Sequence, residues 1–280
     1  MTVSLEAWAF AAALASAALH ASWNAAVKAD ADPARTMAAQ MVMSGLLALP
    51  ALPLLPWPDA AAWPWMVAAT LLNLVAVQAL VRAYAAGGFG VVYALVRATS
   101  VLLVAPLAAA LVGEQPGPWA ALGIVLVCTA LAVLGVGGGT VLPRRALPWT
   151  LLSGAMTAAT VICDARGVRS AGDAWGFAAV MTVVNALGMA LLGRLGARPW
   201  VALAARWRKV LPMSTAAIVS YALILWAYAH APVARSAALR DTSAVFGLVI
   251  AAWWLKEPLT RQRLAVVGLA LAGVVCLRLG

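Results

Sequence analysis

Two short motifs of nearly the same composition lie 143 residues apart in this chain: RATS, which begins at Arg97, and RDTS, which begins at Arg240. Both occur inside apolar runs, and each places a guanidinium beside hydroxyl groups, Thr99 in one copy and Thr242 in the other. A guanidinium presents a planar fork of donors that matches a carboxylate or a phosphate. Two interpretations follow: the arginines bind an anionic ligand, or they form internal salt bridges. If a ligand competed for the salt-bridged arginines, both interpretations would hold.

Two carboxylates are available as internal partners for these arginines. Asp241 is adjacent to Arg240, and Asp164 lies near the end of another apolar run. Two arginines and two aspartates would balance in charge. Ionisable groups in a membrane helix cost about 2.5–3.5 kcal/mol or more, so such residues are candidates for function wherever they occur there.

A polar stripe runs along the first apolar block. His20, Trp23, Asn24 and Lys28 recur at a spacing that places them on one face of a helix. Such a face must contact protein or water rather than lipid, so we expect it to line a cavity. Histidine changes its charge near physiological pH, which makes His20 a candidate for proton coupling. A hydrogen bond from His20 to a neighbouring helix is the alternative.

The remaining candidates are amides and aromatic side chains in other apolar blocks. An amide within a membrane either lines a cavity or joins two helices. The three cysteines are isolated from one another in apolar runs, so we expect no disulfide, no metal site and no cofactor. The further candidates for a cavity wall are Asn73, Gln78, Tyr221 and Trp226.

The elements that must position these residues are membrane helices. Of the 280 residues 65% are hydrophobic and only 10% are charged, whereas a soluble domain has roughly 45–50% apolar and about 25% charged residues. The net charge of +10 is spread between apolar blocks with no basic stripe, which argues against nucleic-acid binding. A spanning helix needs about 20 apolar residues. The predicted spans are 5–26, 34–56, 63–84, 90–112, 118–138, 148–165, 174–193, 210–229, 233–255 and 262–279.

The arginine motifs belong to a longer internal repeat. Glu114 and Glu257 keep the same offset as the two arginines, and Gly123 pairs with Gly268 after a small shift. We therefore expect residues 1–143 and 144–280 to be two copies of one five-helix unit. Because five is odd, the second copy enters the membrane from the opposite side. Inverted repeats of this kind place a transporter's site near the midplane and alternate access around it.

The repeated helix ends carry a resemblance to a known family. An apolar helix ends in Val112-Gly113-Glu114 in the first half and in Lys256-Glu257-Pro258 in the second, and each is followed by a further apolar helix. With ten helices in two halves, the chain resembles the EamA family of the drug/metabolite transporter superfamily. The resemblance implies an all-α fold whose helices 1, 3, 4, 6, 8 and 9 border a central cavity, while helices 5 and 10 are scaffold. It implies no catalytic residues.

From these features we expect a secondary transporter, an exporter, of a small polar metabolite such as an amino acid or an organic anion. We expect it in the inner membrane of a bacterium, with the lipid bilayer and a small-molecule substrate as partners, and with proton coupling as an option. It would be a monomer or a weak homodimer. The alternatives are a lipid flippase or an accessory membrane protein. An integral-membrane lipid enzyme is less favoured because no metal or nucleophile cluster is present.

Loop charge gives an orientation. With the predicted spans, odd-numbered loops carry twelve Lys and Arg, whereas even-numbered loops and the termini carry four. The positive-inside rule then places the odd loops in the cytoplasm and both termini outside. Members of the EamA family usually have both termini inside, so the charge count and the resemblance predict opposite orientations.

Overall fold

The protein is almost entirely helical in the residues that the computed structural model describes, which are 4–87, 89–136, 142–192, 199–243, 245–246, 250 and 261–279. These residues form ten α-helices and no β-strand. Segments of α1, α3, α4, α7 and α8 are long and apolar enough to cross a membrane, and α5 and α10 contain shorter apolar stretches. The helices are α1 (Leu5–Lys28), α2 (Pro33–Ala48), α3 (Trp63–Ala86), α4 (Phe89–Val112), α5 (Pro118–Val136), α6 (Leu147–Arg169), α7 (Ala174–Leu192), α8 (Pro199–His230), α9 (Val233–Asp241) and α10 (Arg261–Leu279).

The second helix is shorter than its predicted span of 34–56. It begins at Pro33, where Asp32 accepts a hydrogen bond from the Arg35 N–H, and it ends at Ala48. A single 3₁₀ turn, Leu49–Ala51, follows. Pro50 and Pro53 account for this end, because each lacks the N–H donor that would continue the α-helical ladder. The prediction of one continuous helix over 34–56 was wrong.

Two other helices also differ from their predicted spans. Helix α8 starts at Pro199 rather than at 210, so the basic residues before 210 belong to the helix and not to a loop. Charged residues are good helix formers, and they limit only the part of a helix that can lie in lipid. Helix α9 ends at Asp241, inside the span predicted as one helix over 233–255. Residues 244, 247–249 and 251–255 of that span lie outside the described residues.

The helices pack in pairs that cross between the two halves of the chain. Helix α1 packs on α8, α3 on α6, α2 on α7 and α8, and α5 on α10, while α4 contacts α5, α6 and α9. At the α1–α8 contact Ser16 and Ser220 each donate a hydrogen bond to the other's carbonyl, at 2.7 and 2.8 Å. Both serines are buried, and paired small hydroxyl residues of this kind allow helices to approach closely in lipid. The outward sides of the helices remain apolar and exposed.

The α5–α10 contact depends on glycine. A Cβ on Gly123 would lie 2.7 Å from the Leu277 side chain and 2.8 Å from the Gly273 carbonyl oxygen. Gly273 faces α5 equally closely, with Val127 at 2.8 Å from its ideal Cβ position. Gly268, which the repeat pairs with Gly123, has no atom within 4 Å of that position. The correspondence of Gly123 and Gly268 therefore does not extend to their surroundings, and Gly273 is the glycine that meets Gly123.

Substituting these two glycines separates the contribution of packing from that of helix propensity. We expect Gly123→Ala to destabilise the protein by about 1–3 kcal/mol, because backbone atoms of α10 block the new methyl group. Gly268→Ala is the matched control on the partner helix, and it should leave stability unchanged or raise it by up to about 1 kcal/mol. Thermal unfolding of the two variants in detergent measures the difference. Equal melting temperatures would show that α5 and α10 do not pack in this way.

An ion pair also joins the turn between α1 and α2 to α8. Asp30 accepts hydrogen bonds from the Asp32 N–H at 2.9 Å and from Lys209 Nζ at 2.6 Å. Arg206 Nε is 3.9 Å from the same carboxylate. The Asp32 N–H and the Lys209 ammonium together lower the pKa of Asp30 from 3.8 to about 2. The turn is therefore held to the extended part of α8 that the sequence alone assigned to a loop.

Because the pKa of Asp30 is lower in the folded state, its stabilising effect exists above its unfolded pKa and is lost as the pH falls. We expect Asp30→Asn to lower the melting temperature at neutral pH, and the difference from the unsubstituted protein to shrink between about pH 4 and about pH 2. Lys209→Ala should reproduce this loss, whereas Arg208→Ala should not. A difference that is constant from pH 7 to pH 2 would contradict the ion pair.

Candidate functional site

Five ionisable residues from four helices meet inside the protein: His20 of α1, Arg97 of α4, Asp164 of α6, and Arg240 and Asp241 of α9. We call them the central charge cluster. His20, Asp164 and Asp241 are buried, and Arg97 and Arg240 are largely shielded. Charges in such surroundings are stable only when they are paired or bind a ligand. The sequence motifs around Arg97 and Arg240 thus converge on one place.

Arg97 is the best-anchored member of the cluster. Its Nη1 donates to Asp241 Oδ1 at 3.0 Å, and only 14% of the arginine side chain and 7% of the aspartate side chain are exposed. Its Nη2 lies 2.9 Å from His20 Nε2. A guanidinium has no acceptor, so His20 Nε2 must accept this hydrogen bond, which places any single imidazole proton on Nδ1. Arg97 therefore joins α1, α4 and α9.

The end of α9 brings Arg240 and Asp241 to this point. Thr242 Oγ1 donates to the Leu239 carbonyl at 2.6 Å, and the Thr242 carbonyl accepts from Val245 and Phe246 N–H groups. A threonine that bonds a backbone carbonyl in this way competes with the regular helical ladder. The helix is consequently interrupted at Thr242, directly after the two charged residues, and the chain is helical again at Ser243 and at 245–246. Arg240 lies in the last helical turn, where a positive charge interacts favourably with the helix dipole.

Asp164 and Arg240 form the other side of the cluster. Tyr221 of α8 donates its hydroxyl to Asp164 Oδ2 at 3.2 Å. The Arg240 guanidinium is close enough to Asp164, Tyr221 and Tyr228 to interact electrostatically with each. Within the described residues, however, Arg240 forms no salt bridge like the one between Arg97 and Asp241. The two arginines of the repeat therefore have different surroundings.

Several buried polar atoms around Arg240 have no hydrogen-bond partner among the described residues. They are Arg240 Nε, Asp164 Oδ1, the Tyr228 hydroxyl and Ser236 Oγ. Leaving a buried donor or acceptor unpaired costs about 1–3 kcal/mol, and more for a charged group. Buried donors and acceptors therefore lie on the helices that carry this side of the cluster, and a polar ligand could satisfy them.

Two predicted cavity residues lie away from the cluster. Asn73 of α3 donates a hydrogen bond to Asn185 Oδ1 of α7 at 3.3 Å. This amide therefore joins two helices instead of lining a cavity. Gln78 is exposed and lines a groove between α3 and α6 with Arg82 and Trp149. Neither side chain is brought to the central charge cluster.

The other predicted residues flank the cluster. Trp23 meets His20 edge-on at 5.0 Å between ring centroids, and its buried Nε1 has no partner among the described residues. Asn24 donates back to the His20 carbonyl at 2.8 Å. Thr99 bonds the Leu95 carbonyl and packs against Gly154 of α6, where a Cβ would lie 2.6 Å away.

Trp226 of α8 packs on the main apolar core and lies 4.5 Å from the His230 ring. Thr242 ends the helix rather than facing the cluster with its hydroxyl, since that hydroxyl bonds Leu239.

Sequence reasoning gave too little weight to two residues near Arg240. Tyr228 lies seven residues after Tyr221 on α8, and Ser236 lies four residues before Arg240 on α9. Both spacings place the residue on the same helix face as its predicted neighbour. This spacing is the only sequence feature that links the two residues to the cluster. It identifies them as site residues only when the neighbouring helices are known.

Glu114 has the structural role that its position at a helix end predicts. Its Oε1 accepts from Arg169 Nη2 at 2.7 Å, and its Oε2 accepts from the Val233 N–H at 2.6 Å. Arg169 also donates to the carbonyls of Tyr228 and Ala231. These bonds hold the start of α9 against α4 and α6, and so set the position of Arg240. Glu257, its partner in the repeat, lies outside the described residues.

A double-mutant cycle tests the Arg97–Asp241 pair. Arg97→Met leaves Asp241 buried without its partner, which we expect to cost about 3–5 kcal/mol of stability. The double variant Arg97→Met/Asp241→Leu removes both charges, and it should recover most of that loss. Thermal unfolding of the two single variants and the double variant measures the coupling. Additive effects of the two substitutions would mean that these residues are not paired.

The comparisons with known proteins agree with this architecture. No curated protein matches the chain. A solved crystal structure of another protein superposes on 99% of this chain and 98% of its own with a TM-score of 0.76, at 15% sequence identity, which shows a shared fold. Residues 144–279, which include α6 to α10 and the Arg240 side of the cluster, match the EamA-like transporter family. The protein is therefore a multi-pass membrane protein that belongs to the EamA family of the drug/metabolite transporter superfamily.

Proposed function

We propose that this protein is a secondary transporter that exports a small polar metabolite by alternating access, and that the metabolite carries an anionic group, as an amino acid or an organic anion does. The transported molecule binds at the central charge cluster. The EamA family consists of transporters rather than enzymes, which supports this class of function. The inner membrane of a bacterium is the location that we propose for it.

The observation that carries this proposal is the difference between the two arginines. Arg97 is held by Asp241 and His20, whereas Arg240 is shielded and has no salt bridge within the described residues. A shielded guanidinium attracts a carboxylate or phosphate strongly because little water competes for it. The unpartnered Asp164 Oδ1 nearby would suit a positively charged or hydroxyl group on the same ligand.

The proposed division into residues 1–143 and 144–280 as inverted repeats is supported by depth in the bundle. His20 lies eight residues before the end of α1 and Arg97 eight after the start of α4, roughly 12 Å from those helix ends. Asp164 lies five residues before the end of α6, and Arg240 lies seven residues after the start of α9. If successive helices alternate in direction, the first pair approaches the cluster from one membrane side and the second pair from the other.

The pairing of side chains also follows the repeat. Arg97 and Arg240 correspond at an offset of 143 in the sequence, and His20 and Asp164 correspond at 144. His20 hydrogen-bonds Arg97, and Asp164 interacts electrostatically with Arg240. Three of the five pairs of corresponding helices, α2 with α7, α4 with α9 and α5 with α10, are in contact, as is expected for helices that lie near a two-fold axis through the middle of the bundle.

The His20–Arg97 bond suggests how protons would act on transport. Neutral His20 can accept from Arg97 through Nε2, but protonated His20 has no acceptor nitrogen. Protonation would therefore break this bond and place a second positive charge beside Arg97. Because Arg97 joins α1, α4 and α9, this change would favour a different arrangement of the two halves.

Transport by reconstituted protein tests the proposal. We expect uptake into proteoliposomes of at least one compound from a panel of radiolabelled amino acids and organic acids, with and without a pH gradient. Arg240→Ala should reduce the uptake by at least about 30-fold, since losing a buried charged partner costs about 2–5 kcal/mol. Arg240→Lys, which keeps the charge but not the fork, should fall between the two.

Arg235→Ala is the matched control on the same helix. Arg235 pairs with Glu6 at 3.2 Å near the start of α9, away from the central charge cluster. Its loss should leave uptake within about twofold, because neither Arg235 nor Glu6 belongs to the central charge cluster. Equal losses in Arg235→Ala and Arg240→Ala, with both proteins folded, would refute binding at Arg240. Transport of none of the panel by the unsubstituted protein would refute the substrate class.

A further inference from the structure

A groove on the outside of the bundle shares no residue with the central charge cluster. It lies between α3 and α6 and has a volume of about 320 Å³. Its walls are mostly apolar, and its polar groups come from Gln78 and Arg82. The residues that matter for the argument are Leu74, Val75, Gln78 and Arg82 of α3, with Trp149 and Leu152 of α6.

The groove opens toward the hydrocarbon of the membrane. On α3, Val67, Leu71 and Val75 are 56%, 59% and 45% exposed, and they follow one face of the helix at intervals of four residues. Leu147 and Leu151 of α6 are also exposed. In a multi-pass membrane protein such a continuous apolar face contacts acyl chains. The occupant of the groove is therefore drawn from the bilayer.

One end of the groove is strongly basic. Arg82 is exposed, and its guanidinium lies 4.7 Å from the centre of the Trp149 ring. Arg144 and Arg145 are exposed in the turn before α6, and Arg145 Nε donates to the Ala86 carbonyl at the end of α3 at 3.4 Å. Arg82 is one helical turn from that end, so the three cations gather at a single membrane interface, where tryptophan is also favoured.

No acidic residue in this part of the chain balances these cations. The sequence contains no Asp or Glu between Asp59 and Glu114, or between Glu114 and Asp164. All of α3 and α5 and the first two thirds of α6 therefore lack a carboxylate. The excess positive charge at the mouth of an apolar groove is complementary to a molecule with an anionic head and an apolar tail.

We propose that this groove binds an anionic phospholipid. One acyl chain lies along the apolar wall formed by Val75 and Leu152, and the phosphate headgroup is held by Arg82 with Arg144 and Arg145 beside it. Basic pockets between membrane helices bind anionic headgroups in this manner. The lipid joins the last turn of α3 to the first turn of α6, and so fastens the two proposed halves together at one interface.

Lipid binding by the purified full chain tests the proposal. The protein is titrated with phosphatidylglycerol or with phosphatidylcholine of identical acyl chains, and bound lipid is counted by native mass spectrometry. We expect phosphatidylglycerol to bind more tightly. Arg82→Ala should reduce its affinity about fivefold, the effect of one cation near a membrane surface, and should leave phosphatidylcholine unchanged.

Arg208→Ala is the matched control. Arg208 is exposed and lies 5.2 Å from the ring of its neighbour Trp207, so it has the same kind of cation–π contact without being a groove residue. Its loss should leave phosphatidylglycerol binding unchanged. Val75→Trp fills the groove from its exposed side and should weaken both lipids while all three arginines remain.

Three results would overturn the proposal. They are equal affinity for the two lipids, equal effects of Arg82→Ala and Arg208→Ala, and lipid binding that Val75→Trp does not change. Glycerol phosphate, the headgroup chemistry without the tails, should not displace bound phosphatidylglycerol. If it does so at similar concentration, the site recognises a free phosphate ester and not a lipid.

Discussion

The ion pair between Arg97 and Asp241 is the interaction on which the middle of this protein depends. A single charge among apolar helices is expensive, and a pair is tolerated only when its geometry satisfies both groups. Arg97 and Asp241 come from α4 and α9, and the same guanidinium reaches His20 of α1. Three helices are therefore held in one register by one side chain, at the contact between the proposed halves.

Other features of the fold make that contact possible. Helix α9 is interrupted after Asp241, where the Thr242 hydroxyl bonds the Leu239 carbonyl. The start of α9 must lie at a definite depth, and Glu114 with Arg169 holds it there. Small residues bring the surrounding helices close enough, at Ser16 with Ser220 and at Gly154 with Thr99. Local breaks and small side chains thus position charges that lie far apart in the sequence.

The sequence predicts much of this arrangement, and its failures have physical causes. The approximate positions of the described helices follow from apolar runs, because lipid requires every backbone group to be bonded within a helix. The matching motifs at Arg97 and Arg240 identified the two residues that meet in the cluster. The ends of α2 at Ala48 and of α9 at Asp241 depend on single hydrogen bonds or on missing backbone N–H donors. A hydropathy average over a long stretch of sequence does not detect such local features.

The amides show a different limit of sequence reasoning. Asn73 and Gln78 occur in one apolar block, but Asn73 faces Asn185 and Gln78 faces outward. Which side of α3 faces a partner depends on helices distant in the sequence, so no local pattern distinguishes them. His20 and Asp164 were each found from their own helix, and only the fold shows that His20 bonds Arg97 and that Asp164 is within electrostatic reach of Arg240.

The proposed duplication, followed by divergence, would give a physical reason for the difference between the two arginines. In a symmetric ancestor with arginines at both positions, each would need the same partner. Here the second copy has Asp241 after its arginine where the first has Ala98, so there is one adjacent carboxylate for two guanidinium groups. Asp241 bonds Arg97 of the other half and not Arg240 beside it. Under the proposed function, this single difference would link the halves through one arginine and leave the other available to a ligand.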